Sequence, residues 1–254
     1  MKKWIISLSI LLLSSCTSLS DDKTALTISA AASMKDVLLE VKKQYETDHP
    51  NITLSFNFAS SGTLQKQIEQ GAAVDVFISA AAEPFQALKT KGFIVSQHND
   101  DLVYNELVLV TSNTLRVPVS SLHDLKQESI KTIAIGTPET VPAGAYAKKW
   151  LESSQMWNPL RNKFVFTNDV RQALMYVESG NADAGIVYRT DAILSKNIRI
   201  VTKASNFINQ QIIYKAGVIQ SSPHLKEASN FLQYLKGREV EKLFKNSGFL
   251  TKTP

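Results

Sequence analysis

The chain has 254 residues and a formal charge of +5, and its lysines are scattered through helical stretches without forming a block, which argues against a nucleic-acid surface. Cys16 is its only cysteine, so no internal disulfide can form. The four histidines, His49, His98, His123 and His224, stand apart in polar stretches without metal-site spacing, and no GxSxG elbow, P-loop or dinucleotide fingerprint occurs, so an enzyme is not expected.

Lys2 and Lys3 precede an apolar run from Trp4 to Leu13, too short to span a bilayer but right for a signal peptide over residues 1–15. The run closes on Leu13-Ser14-Ser15-Cys16, which resembles a bacterial lipobox. That resemblance implies cleavage before Cys16 and lipidation of its thiol, with residues 16–24 as a polar tether outside the cytoplasm. Loss of Lys2 and Lys3 lowers the formal charge from +5 to +3, and the remaining length suffices for two lobes.

From Ala25 strands alternate with helices. Leu26 to Ala30 reads as a strand ending in small residues. A helix follows from Ser33 to about Tyr45, with Val37, Leu38, Val41 and Tyr45 on one face. Ser33 and Asp36 have the spacing of a capping box. Ile52 to Phe58 is the next strand, followed by a helix beginning near Ser61 and stopped by Gly71. Asp75 to Ala80 forms a third strand, and a helix through Phe85 and Leu88 runs to Gly92. Such alternation predicts α/β architecture with mainly parallel sheets flanked by helices.

At Tyr104 to Ser112 a longer strand appears with no helix directly after it. A second βα series runs from Thr132 to Val201, with helix starts near Ala143 and Val170. Gln211 to Ile219 is another long strand, and two helical stretches, His224 to Lys236 and Glu239 to Lys245, close the chain. The two long strands read as crossings between lobes, in preference to two consecutive domains, because the last residues carry no strands of their own. The expected boundaries are 25–103 with 220–254 for lobe I and 104–219 for lobe II.

In open α/β sheets ligands bind beyond the carboxyl ends of strands, where the next helices begin. A first helical turn leaves amides unpaired and carries partial positive charge, so it holds a small anion without lysine or arginine. Taken singly, Ser33 reads as a cap, Val170 as core and Tyr188 as packing. Together they fall at equivalent strand-to-helix corners.

Five stretches, AAASMKDV, ASSGTLQKQIEQGAAVDVFISA, TPETVPAGAYAKKWL, NDVRQALMYVESGNADAGIVYRTDA and FLQYLKGREVEKLFKNSGF, make the chain resemble the molybdate-binding protein of bacterial ABC uptake systems over nearly its whole mature length. The resemblance implies a two-lobed type II periplasmic-binding-protein fold with a tetrahedral dianion buried between lobes. Carried over motif by motif, it puts ligand contacts at the hydroxyls and amides of Ser33 and Ser61, the amides of Ala143 and Val170, and the phenol of Tyr188. These contacts meet the anion's oxygens and not its metal. Gly62 and Ala81 depart from the pattern, where relatives often carry serine and an acidic residue.

The resemblance further implies a monomeric, membrane-anchored extracytoplasmic lipoprotein that takes molybdate or tungstate to an ABC permease driven by a cytoplasmic ATPase. No cofactor and no nucleic-acid partner are expected. Two other readings stand beside this one. One is a binder of another oxyanion such as sulfate. The other is a carboxylate or amino-acid sensing domain, for which Arg171 or Arg189 would have to supply the clamp.

Overall fold

The computed structural model of the chain describes residues 23–95, 101–204, 208 and 212–251. The expected signal peptide, Cys16 and nearly all of the tether lie outside the described residues. What is described forms two five-stranded sheets flanked by helices.

The first sheet has the order β2-β1-β3-β10-β4. Strand β1 (Thr24–Ala31) runs parallel to β2 (Ile52–Ala59) and β3 (Val76–Ser79), while β10 (Ile213–Val218) is antiparallel to β3 and to β4 (Asp101–Tyr104). Covered on both faces, β3 is buried at every residue, as its uninterrupted Val-Phe-Ile run requires. Helix α1 (Lys35–Asp48) buries the expected stripe of Val37, Leu38, Val41 and Tyr45. Helices α2 (Ser61–Glu69) and α3 (Ala82–Thr90) cover the other face, where Leu64, Ile68, Phe77, Phe85 and Leu88 make a separate apolar cluster. Gly71 ends α2 with φ of +88°, a conformation that favours glycine.

The second sheet has the order β7-β6-β8-β5-β9. Strand β6 (Ile133–Gly136) is parallel to β7 (Phe164–Thr167) and β8 (Ala184–Tyr188), and β5 (Leu107–Ser112) is antiparallel to β8 and β9 (Ile198–Lys203). Helix α4 (Pro142–Ser153) follows β6, and the short α5 (Trp157–Leu160) packs beside it. Helix α6 (Val170–Glu178) follows β7, and the single turn α7 (Arg189–Ala192) follows β8.

The expected long strand from Tyr104 to Ser112 is two strands, β4 and β5, interrupted at Asn105 and Glu106 and belonging to different sheets. The chain therefore crosses at Asn105. The return crossing precedes β10, which lies wholly in the first sheet, so the second sheet ends with β9 and does not extend to 219. Period-two alternation looks the same in either sheet, which is why the sequence pattern does not locate this boundary. Helices Leu225–Leu235 and Arg238–Asn246 pack on the first lobe, with Phe231 set edge-on against Tyr45 of α1 at 5.0 Å between ring centroids.

The capping box does not form. Ser33 sits inside a single 3-10 turn, Ala32–Met34, and α1 begins at Lys35 without a side-chain cap. Both partners of the expected box are engaged elsewhere. Ser33 Oγ pairs with Tyr214 Oη at 2.8 Å, and Asp36 meets Arg171 of the opposite lobe.

Candidate functional site

Five strand-to-helix corners converge where the lobes face each other. From the first lobe come the 3-10 turn after β1, carrying Ser33, and the start of α2, carrying Ser60 and Ser61. From the second come the starts of α4 and α6, with Ala143 and Val170, and the end of β8, with Tyr188. All five residues singled out from the sequence line one hollow, together with Ala32, Ala80, Pro142 and Asp169. Its volume, about 10 Å³, is far below the roughly 300–1,000 Å³ of pockets for drug-sized ligands, so a large guest is excluded.

The donors are built by the backbone. Ser60 caps α2, its Oγ accepting from Thr63 N at 3.3 Å, and the Ser61 amide stands in the first turn beside the hollow. Pro142 occupies the first turn of α4, where its missing N–H costs nothing, and the Ala143 amide follows it. Asp169 caps α6, its Oδ1 accepting from Gln172 N at 2.9 Å, and Val170 begins the helix. Amides at these positions have no preceding helical carbonyl to donate to. Two hydroxyls join them. Ser61 Oγ accepts from Ala80 N at 2.9 Å, which leaves its proton for the hollow. Tyr188 is 1 % exposed, and its Oη reaches Ala80 O across the lobes at 3.4 Å, too long for a full hydrogen bond. Burial pushes the Tyr188 phenol well above its usual pKa, so it stays a neutral donor.

No lysine or arginine lines the hollow. Positive potential there comes from three helix N-termini, each roughly half an elementary charge. The one ionisable carboxyl on the wall, Asp169, is turned to its capping bond. A larger groove at the cleft mouth, of about 390 Å³, is lined by Glu83, Glu139, Tyr146 and Lys149 and so carries both signs of charge. Among the described residues no group of three or more His, Cys, Asp or Glu side chains is placed to hold a metal, and no helix is long and apolar enough to cross a membrane.

The two arginines that a carboxylate clamp would need are committed elsewhere. Arg171 pairs with Asp36 across the lobes, and its Nε stands 2.7 Å from Oδ1 of the fully buried Asp191. Arg189 donates to Gly248 O at 3.1 Å and lies beside Glu106. Neither lines the hollow.

The sequence pattern does not reveal three features of the interface. One is the Asp36–Arg171–Asp191 chain, whose members are 135 and 20 residues apart. Another is Gly62, whose amide donates to Thr140 O of the other lobe at 3.0 Å. A Cβ at Gly62 would stand 2.6 Å from that oxygen, so glycine is what lets the backbones meet. The third is Tyr214 with Asn105, behind Ser33. An aromatic in an apolar strand reads as core, and an asparagine between strands reads as a turn.

Two α/β lobes joined by crossing strands, with a small donor-lined hollow between them, define a solute-binding protein with the type II periplasmic-binding fold. The model of the bacterial extracellular solute-binding protein family matches residues 26–250. A Bacillus subtilis protein, YvgL, provisionally named an ABC transporter substrate-binding lipoprotein, is 46% identical, over 91% of this chain and 88% of its own length. The molybdate-binding protein ModA of Haemophilus influenzae is 34% identical over 89% of this chain and 90% of its own. The solved periplasmic molybdate-binding protein of Azotobacter vinelandii superposes with a TM-score of 0.77 at 22% identity, over 90% of this chain and all of that one. The chain belongs to this extracellular solute-binding family and groups with the ModA proteins. It is a solute-binding component of an ABC transporter and not an enzyme.

The buried Asp191 carries a consequence for stability. Burial raises its carboxyl to about 7, against the opposing pull of Arg171, with Asp36 and Asp169 adding to the rise. An unfolded aspartate titrates near 4, so the native state holds the extra proton between those values and stability falls as pH rises through that window. Thermal melts of wild type and Asp191→Asn should show wild type losing ground to the variant between about pH 4 and pH 7. A pH-independent difference would mean that this carboxyl titrates normally.

Proposed function

We propose that this protein captures molybdate, and tungstate as well, between its lobes and delivers it to an ABC permease driven by a cytoplasmic ATPase. The observation that carries this reading is the convergence of uncharged donors from both lobes, the hydroxyls and amides of Ser33 and Ser61, the amides of Ala143 and Val170 and the Tyr188 phenol, on one hollow without a cationic side chain. A buried dianion is tolerable only where hydrogen bonds replace its hydration. The ModA relatives support the choice of ligand, since the Haemophilus influenzae and Escherichia coli proteins are both molybdate-binding by name. Attachment to the membrane through a lipid on Cys16 is part of the proposal, supported by the Leu13–Cys16 pattern and by the lipoprotein name of the Bacillus subtilis relative. The protein acts as a monomer without a cofactor.

Titration calorimetry with molybdate, tungstate, sulfate and phosphate separates this from the sulfate and carboxylate readings. Tight binding of the first two with none of the last two is expected, and a preference for sulfate would overturn the ligand assignment. Ser61→Ala should weaken molybdate binding by about 1.5–3 kcal/mol, the range for hydrogen bonds to a charged partner. Unchanged affinity would remove Ser61 from the contact set. Gly62→Ala should speed molybdate release in stopped-flow measurements, because its methyl group opposes the approach to Thr140; an unaltered off-rate would show that this backbone contact does not govern closure.

A further inference from the structure

A chain of hydrogen bonds runs behind the hollow, and its proton directions can be worked out. The Glu106 amide donates to one side-chain atom of Asn105 at 2.8 Å. An amide N–H can only donate, so that atom is the oxygen, Oδ1, and the other is the nitrogen. Asn105 Nδ2 then spends its two protons on Thr190 Oγ1 at 2.9 Å and Tyr214 Oη at 3.1 Å. Tyr214 is 0 % exposed, and its hydroxyl, already accepting from Asn105, has one proton and Ser33 Oγ at 2.8 Å to receive it. The reverse direction would leave the Tyr214 proton buried without an acceptor, a cost that buried polar groups avoid. Ser33 Oγ therefore accepts from behind and keeps its own proton for the hollow it lines. Burial keeps the Tyr214 phenol far above its usual pKa, so the relay does not lose that proton.

We infer that Asn105 and Tyr214 are positioning residues that lock the Ser33 hydroxyl as a donor into the ligand hollow. Both stand at the junctions between lobes, Asn105 at the break between β4 and β5 and Tyr214 at the start of β10. The inference rests on the reading of the hollow as an oxyanion site, and it goes beyond that reading because neither residue lines the hollow.

A double-mutant cycle read with molybdate by titration calorimetry tests it. Tyr214→Phe keeps the ring, packed against Phe249 at 5.4 Å between centroids, and removes only the hydroxyl. It should weaken molybdate binding about fivefold to tenfold, corresponding to loss of one oriented hydrogen bond. In a Ser33→Ala background the same change should have less than a twofold effect, because the hydroxyl it orients is gone. Equal losses in both backgrounds, or no loss in either, would overturn the inference while leaving the oxyanion reading intact. Failure of wild type to bind molybdate or tungstate would overturn that reading and this inference with it. Thermal melts without molybdate check folding. If Tyr214→Phe is unfolded, Asn105→Ala goes through the same cycle, with a smaller loss expected and the same dependence on Ser33.

Discussion

On the proposed reading, the architecture turns on the cost of taking an anion out of water. A buried charge is tolerable only if the protein replaces the hydration shell with donors already aimed at it. Here those donors are first-turn amides, two serine hydroxyls and a phenol, and no side-chain cation helps. First-turn amides point outward along a helix axis, so several helices must start at one place, which the carboxyl ends of parallel strands provide. The βα repetition in each lobe follows from this requirement as much as from packing. Neither lobe alone can surround a guest, since each offers corners on one side only.

Contacts between the lobes are local, and besides Arg189 to Gly248 three stand near the hollow. Gly62 to Thr140 is a direct backbone bond, Tyr188 reaches Ala80 loosely, and Arg171 spans from Asp191 to Asp36. The last of these has an internal tension. Both carboxyl oxygens of Asp191 and the Arg171 Nε are buried without a well-aligned hydrogen bond, although oppositely charged atoms are close. A pair of this kind adds little to stability, because burial opposes the charge on Asp191 and offsets most of the attraction gained when it ionises. Its geometric effect is clearer. Asp191 holds the guanidinium where it can meet Asp36 only when the lobes are together.

Much of this was legible in the sequence because the signals are local. Strand, small residue, helix recurs four times, and the corner residues it marked, Ser33, Ser61, Ala143 and Val170, line the same hollow as Tyr188, which the family resemblance singled out. What was not legible depends on long-range pairing. The Ser33–Asp36 spacing promises a capping box, but Tyr214, 181 residues away, takes the serine and Arg171, 135 residues away, takes the aspartate. Local propensity lost to tertiary partners at the point where the site is built. The membership of β10 in the first sheet was hidden for a related reason, since strand pattern records burial and not the identity of neighbours.

The misread serine shows what distinguishes a binding corner from an ordinary helix start. A capping serine turns its oxygen back to the amides of its own helix, satisfying them and removing them from use. At Ser33 the oxygen accepts instead from the Tyr214 phenol, so the serine's proton is left for the hollow. Ser61 reaches the same state by a different route, accepting from Ala80 N while Ser60 beside it does the capping. In both cases one acceptor site of the hydroxyl is taken by the protein and its proton is left over. A wall whose hydroxyls present protons suits a guest that can only accept, and a fully deprotonated tetrahedral oxyanion is such a guest. On the proposed reading, selectivity therefore begins behind the contact residues, in the groups that decide which way their protons point.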